Sequence, residues 1–358
     1  MRALSWSMLA SILAFALVGC ASIGPVTIPR DRVDYSGAMA ESWKEQTLLN
    51  IVKLRYLDTP MYVDVSSVVA SHELLTEVDT TVRIVPTPVS SAQSYGNLEA
   101  RGRYTDRPTI SYVPLAGERF INGLLRPLPP QTLFALMEAG HPADFVLQMA
   151  ARAINDISNV SRSVPRAQAG SPEFAEVVAA LRRIQRAGAI SLRTEIRGKR
   201  QVAFVSIRSL AGGAAEADVR YVKQLLRLNP PKQEYLLVSG SYRRNANELA
   251  LLTRSIQEIM VELAVGVDVP SQDLLDGRAT RIPQPAPGDV HRVPPLRIRS
   301  GAERPSDAFA AVRYGNSWFW VDDRDLNSKR VFMFLRMFSS LAETGVVPQA
   351  AIVTIPAR

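Results

Sequence analysis

Residues 171–207 read SPEFAEVVAALRRIQRAGAISLRTEIRGKRQVAFVSI. Pro172 in a first turn and Gly188 just past Ala187 bracket a helix over Pro172–Ala187, because Pro suits the start of a helix and Gly its end. Two short runs follow, Ala189 to Ile196 and Val202 to Ile207 (VAFVSI), with Gly198-Lys199 between them. Apolar and β-branched runs flanking a glycine turn predict a hairpin. A helix that leads into a hairpin, in a chain that does not alternate strand and helix singly, points to an α+β fold. The expected sheet is mixed or antiparallel, built from hairpins with packed helices.

The pattern repeats on both sides. Helices are predicted over Ala38–Leu57, Gly117–Leu125, Pro130–Ala139, Pro142–Ile157, Ser255–Val265 and Leu326–Glu343, and one capped by Asp218 that runs to Leu228. Strands are predicted over Met61–Val69, Thr80–Val85, Thr109–Val113 and Ala351–Ile355. Tyr235–Ser239 with Glu248–Leu252 reads as a second hairpin, and Phe309–Val321 as a third. Arg162–Gly170 reads as a polar loop. Residues 270–307 hold Pro270, Pro283, Pro285, Pro287, Pro294, Pro295 and Pro305 and read as a long loop or linker. The body is then 38–269, completed by a hairpin, helix and strand over 308–358.

The N-terminus has a different character. Arg2 is the only charge before Cys20, and Leu4–Val18 is apolar or small. That is the layout of a secretory signal, too short for a stable membrane span. Cys20 is the only cysteine of 358 residues. Leu17-Val18-Gly19-Cys20 resembles the lipobox of bacterial lipoproteins, a resemblance confined to the first twenty or so residues. It implies a signal peptide over 1–19, cleavage between Gly19 and Cys20, and a diacylglycerol on the Cys20 sulfur. In that class Ala21, not Asp, implies passage to the outer membrane, facing the periplasm. Two or more acyl chains anchor stably where one is marginal. Residues 20–37 then form the lipidated N-terminus and a tether, with Gly24, Pro25 and Pro29 and no apolar periodicity.

With 47% hydrophobic and 21% charged residues the body is globular and not disordered. One cysteine allows no internal disulfide, so stability rests on packing. The net charge of +8 has solubility as its simplest explanation. An export signal argues against nucleic acid as the partner of that charge.

Chemical motifs are sparse. His72-Glu73-Leu74-Leu75 starts like a zinc-protease motif, but Thr76 stands where the second histidine belongs. His141 and His291 are distant, which excludes a helix-borne metal pair. Asp323, Asp325 and Asn327 match the first ligand positions of a calcium loop, but Ser328 replaces the required glycine and Phe334 the bidentate glutamate. Asp322, Asp323 and Asp325 precede a helix, and Asp323 or Asp325 suits its cap. No nucleophile elbow and no phosphate loop occurs. No cofactor is expected beyond the covalent lipid.

Two surface features are candidate binding residues. Arg193, Arg197, Lys199 and Arg200 sit in the densest basic region, with Glu195 the only acid inside it. A solvated face is the simpler reading, and an anionic lipid or protein contact the sharper one. Trp318 and Trp320 share one face of a strand, suited to sugars or a lipid surface if wet and to core if buried. Val331–Leu341 (VFMFLRMFSSL) is apolar nearly all round and reads as a central helix.

These observations imply a lipid-anchored envelope lipoprotein, non-enzymatic, that binds, scaffolds or assembles. Its partners would be the membrane, through the lipid, and an envelope protein. The alternatives are an envelope hydrolase using Asp322, Asp323 and Asp325, or a protein that binds anionic lipid or glycan.

Overall fold

The computed structural model describes residues 24–69, 72–83, 95–106, 108–161, 170–198, 200–208, 213, 215–282 and 294–342. Cys20, Lys199, the closing strand Ala351–Ile355 and most of the Arg162–Gly170 loop lie outside them, as do Glu343 and Gly345. The fold class is α+β, with antiparallel and mixed sheets and packed helices.

The chain divides into two units. One holds Val63–Pro114 with the chain up to Ser42; the other holds Trp43–Tyr62 and the described chain from Leu115 onward. Helix α1 (Gly24–Arg55) has residues in both. The stretch read as a tether is therefore helical from Gly24, with Pro29 inside it. Ile28 and Val33 are exposed along it, whereas Leu48, Ile51 and Val52 are fully buried.

The first unit contains β1 (Val63–Val69), β2 (His72–Arg83), β3 (Tyr95–Asp106) and β4 (Thr109–Pro114). β1 pairs with β4 and β2 with β3, both antiparallel. After a bulge between Val65 and Ser67 the register runs on unshifted, from Val69↔Thr109 to His72↔Asp106 and Arg83↔Tyr95. The Thr80–Val85 strand thus starts earlier, at His72, and β3 was not foreseen.

The second unit is organised on a six-stranded sheet, ordered β6-β5-β10-β9-β8-β7. Helix α2 (Gly117–Phe120) continues as a π-helical turn, Ile121–Leu125; α3 (Pro130–Glu138) and α4 (Ala143–Ala150) follow. The helix predicted over Pro142–Ile157 stops at Ala150. Beyond it β5 (Ala151–Ile154) turns into β6 (Ile157–Ser158). The turn residues Asn155 and Asp156 both have positive φ, 43° and 70°. Asn and Asp tolerate that left-handed geometry, and a two-residue turn of this kind matches the twist of paired strands. Pairing of β5 with β10 overrides the helical pattern.

Helix α5 (Pro172–Arg186) buries Phe174, Val177, Val178, Leu181 and Ile184. The hairpin after it forms as expected, β7 (Ile190–Arg197) against β8 (Arg200–Ile207). Helix α6 (Glu216–Leu225) is not capped by Asp218, whose carboxylate instead takes both arms of the Arg183 guanidinium, at 2.9 and 2.7 Å.

The Tyr235–Leu252 hairpin is not one. β9 (Glu234–Ser239) and β10 (Glu248–Thr253) are parallel, Leu236 opposite Glu248. Parallel strands usually need a crossover of about a dozen residues or more. Here residues 240–247 run back alongside, held where Asn229 and Leu236 N–H groups donate to Ala246 and Asn247 carbonyls. The Glu248 carboxylate accepts from the Arg244 amide. Helix α7 (Ile256–Leu263) opens with a full capping box, Ser255 and Glu258 each accepting the other's amide at 3.1 Å.

The described parts of 270–307, residues 270–282 and 294–307, carry elements of their own. Helix α8 (Ser271–Leu275) and strand β11 (Arg299–Gly301) lie in them, and Leu296 and Ile298 are fully buried. β11 joins β13 (Ser317–Asp322), which pairs with β12 (Ala308–Tyr314) in a three-stranded sheet. Helix α9 (Leu326–Ala342) follows and buries Val331, Phe332, Phe334, Leu335 and Phe338, as its sequence implied, while leaving Met333 exposed.

Gly266 sets how closely this segment seats, since a Cβ there would collide with the Leu296 carbonyl. Gly266→Ala is expected to destabilise the fold by about 1–3 kcal/mol through forced backbone movement. A urea unfolding midpoint unchanged from the parent would refute that account.

Candidate functional site

Asp322, Asp323 and Asp325 lie between β13 and α9. Asp325 is the cap: its carboxylate accepts the Ser328 amide at 3.1 Å and the Ser328 hydroxyl at 2.8 Å. Burial pushes the Asp325 carboxyl up, and the Ser328 hydrogen bonds more than offset this, leaving it below the usual carboxylate range. Asp323 takes the Lys329 ammonium at 2.7 Å, which lowers its carboxyl as well. Asp322 accepts the Arg324 amide and sits 3.3 Å from the Arg299 guanidinium. Each carboxylate has a structural partner, and neither Asp323 nor Asp325 is raised toward the range a general acid needs at neutral pH.

In the basic hairpin, the Arg193 guanidinium contacts Glu195 at 2.9 Å and Glu234 at 2.8 Å, and lies 5.6 Å above the Phe204 ring. Arg197 pairs with Glu195 at 3.1 Å and lies 5.1 Å above the same ring. The two arginines thus share one acid and one aromatic platform. β9 pairs β8 only at Phe204–Ser206, so the distal hairpin projects past its neighbour, with Ile196 82% exposed. Arg200 is in β8 at the far end, opposite Arg197. The free edge of β7 is partly closed, because the Glu138 carboxylate accepts the Leu192 amide at 2.6 Å.

Trp318 and Trp320 are half-buried on one face of β13, with fully buried Phe319 on the other. Gly301 sits under Trp320, and the Arg304 guanidinium lies 5.4 Å above the Trp318 ring. The register places Arg299 and Arg313 opposite Trp320 and Trp318. The tryptophans are therefore neither core nor a bare wet platform.

A polar cluster escaped the sequence reading. Tyr56 donates to Asp273 at 2.6 Å, Tyr314 donates to Asp58 at 3.1 Å, and the two rings are 5.0 Å apart. Buried Arg55 donates to the Thr280 carbonyl, while its Nε has no partner. Burial, reinforced by Asp273, holds the Tyr56 phenol well above its ordinary value, so it stays a proton donor. The cluster ties α8 and the chain after it to the end of α1. No sequence motif signals it, because the partners come from three distant segments.

The recess of about 280 Å³ between α3, α5 and β7 is lined by Phe134, Met137, Glu138, Gln185, Ile190 and Leu192. Gln185 spends both amide ends on backbone, donating to Met137 and His141 carbonyls and accepting the Ala143 amide. Among the described residues no His, Cys, Asp and Glu cluster is arranged to hold a metal. No known protein family, curated protein or solved structure matches the chain.

Capping gives Asp325 and Asp323 different weights. Asp325→Ala is expected to cost about 1 kcal/mol, and Asp323→Ala, at the surface, clearly less. The Asp325 contribution is present above the unfolded carboxylate value of about 4 and is lost as pH falls through the lower folded value. Thermal melts of both variants at pH 7 and pH 3 check this; equal losses for the two would contradict the cap.

Proposed function

We propose that the chain is a lipid-anchored envelope lipoprotein, attached through Cys20 to the outer membrane, whose body binds or assembles with envelope components. The observation that carries this reading is α1. It is described from Gly24 onward, exposes Ile28, Val33 and Met39, and then buries Leu48, Ile51 and Val52 completely. A helix whose described N-terminal half is solvated and whose C-terminal half is embedded in the core suits a stem between an N-terminal anchor and the fold. In this reading membrane attachment falls to the lipid, at about 0.8 kcal/mol per buried methylene. No helix among the described residues is long and apolar enough to cross a membrane.

The hydrolase alternative loses support from the partners found for Asp322, Asp323 and Asp325. The anionic lipid or glycan alternative keeps one specific observation, the Arg304 guanidinium over the Trp318 ring, with Arg313 opposite Trp318 in the strand register. A ligand there would meet aromatic faces and cations together.

Expression of the full chain in a two-membrane bacterium tests the anchor. Intact mass of the membrane-extracted protein is expected to show cleavage before Cys20 and a diacylglyceryl adduct, and Cys20→Ser to shift the protein out of the membrane fraction. An unlipidated mature chain in the soluble fraction refutes it.

A further inference from the structure

The first unit is a ribbon of unusual build. A two-stranded hairpin is marginal in water by itself. This one continues in register from Ser67↔Ser111 to Arg83↔Tyr95, and both of its outer edges are unpaired among the described residues. Such edges invite further strands.

Successive positions of a strand belong to opposite faces, so the register divides the ribbon into two rows. One row runs Leu74, Thr76, Val78, Thr80 and Val82 against Tyr104, Gly102, Ala100, Leu98 and Gly96, without one charged residue. The other runs Glu73, Leu75, Glu77, Asp79, Thr81 and Arg83 against Thr105, Arg103, Arg101, Glu99, Asn97 and Tyr95, with seven charges. The uncharged row spans Leu74–Val82 on one strand and Gly96–Tyr104 on the other, and ends at His72↔Asp106. Nine residues is the length of a tilted strand crossing a bilayer, about 9–11 residues. Alternation of an uncharged with a charged row is the pattern of membrane barrels. Beyond the charged Asp106, the same face at the base of the ribbon carries Val68, Ile110 and Tyr112, of which Ile110 is 41% and Tyr112 61% exposed.

We infer that β2 and β3 form one hairpin of a transmembrane β-sheet closed by copies of this same chain. The Leu74–Val82 row faces lipid and the Glu73–Arg83 row faces a water-filled interior. The inference rests on the envelope placement proposed above. In hydrocarbon an open edge strands its backbone N–H and C=O groups, so a ribbon of two strands must be closed by others. The charged row says which others. On β2 it holds three acids, Glu73, Glu77 and Asp79, against one base, Arg83; on β3 it holds two bases, Arg101 and Arg103, against one acid, Glu99. Setting β3 of one copy beside β2 of the next brings opposite signs together, a head-to-tail contact of the kind that closes rings. It also supplies cations near Asp79↔Glu99, a like-charge pair that is unfavourable in an isolated ribbon. Barrels of this type begin at about eight strands, hence about four copies.

The full lipidated chain, extracted in detergent and reconstituted into phosphatidylethanolamine and phosphatidylglycerol vesicles loaded with a self-quenched dye, tests this. The expected result is an oligomer by light scattering and dye release at least ~10-fold above protein-free vesicles. Val78→Asp, in the uncharged row, is expected to abolish release; Thr81→Asp, one row over, to retain it. Since a charge at Val78 also threatens folding, Val78→Cys and Thr81→Cys provide a neutral comparison, with Cys20 blocked by its lipid. A charged thiol reagent is expected to modify Thr81→Cys and spare Val78→Cys. Equal labelling of the two, or a lipidated wild-type chain that stays monomeric and releases no dye, overturns the barrel and leaves the anchor standing. Recovery of the chain unlipidated and outside the membrane overturns both.

Discussion

The second unit depends on the aromatic stripe of α9. Phe332, Phe334 and Phe338 are almost fully buried, and their aromatic neighbours come from α1, β12, α4 and the turn before α4. Phe332 meets Trp43 of α1 edge-on at 6.4 Å and Phe309 of β12 at 5.5 Å. Phe334 meets Phe145 of α4 at 4.5 Å and His141 at 5.1 Å. Each buried ring contributes its transfer free energy, about 1.5–3 kcal/mol, plus about 0.5–1.5 kcal/mol for edge-on aromatic geometry. The Asp325 cap matters because it fixes where this helix begins, and therefore which turn presents each ring.

The polar groups inside the unit serve the same economy of positions. Arg254 is 4% exposed and donates to the Gln148, Met149 and Val160 carbonyls, gathering the end of α4 and the chain after β6. Asn155 donates to the Leu226 carbonyl and accepts the Ala250 amide, binding the β5–β6 turn to β10. Lys223 donates to the Pro230 and Lys232 carbonyls, and burial pulls its value down. These groups stay buried because backbone carbonyls meet them.

Local signals in the sequence suffice where a Pro or Gly breaker stands at an element's end, whereas Asp218, the expected cap of α6, pairs with Arg183 instead. Pro172 and Gly188 gave the limits of α5, and the Gly198 turn gave β7 and β8. Non-local pairing was illegible. Nothing in Tyr235–Leu252 says that β9 and β10 run parallel, because β10 is placed between β9 and an antiparallel β5 by contacts from distant segments. The end of α4 was missed because Ala151–Ile154 suits helix and strand alike, and only Asn155-Asp156 hints at the turn. β3 was missed for a different reason. NLEARGRYTD lacks the β-branched residues that mark a strand, and its alternation has meaning only against β2. In the candidate sites the cap was readable, since it is local. The Arg193–Glu234 pair and the Tyr56–Asp273 bond were not, since each joins residues far apart in the chain.

One small feature bears on how such a chain arose. The Leu115 amide donates to the Tyr62 carbonyl at 2.9 Å, so the backbone leaves the second unit and returns to it at neighbouring points. Everything between is topologically a detour. Closing a long excursion instead of a short one adds only about 0.6 kcal/mol for each doubling of its length. The core of the second unit therefore tolerates changes in the ribbon's length, sequence or presence at little cost. That makes the ribbon a cassette: its length and sequence can change while the scaffold that carries it keeps its own packing.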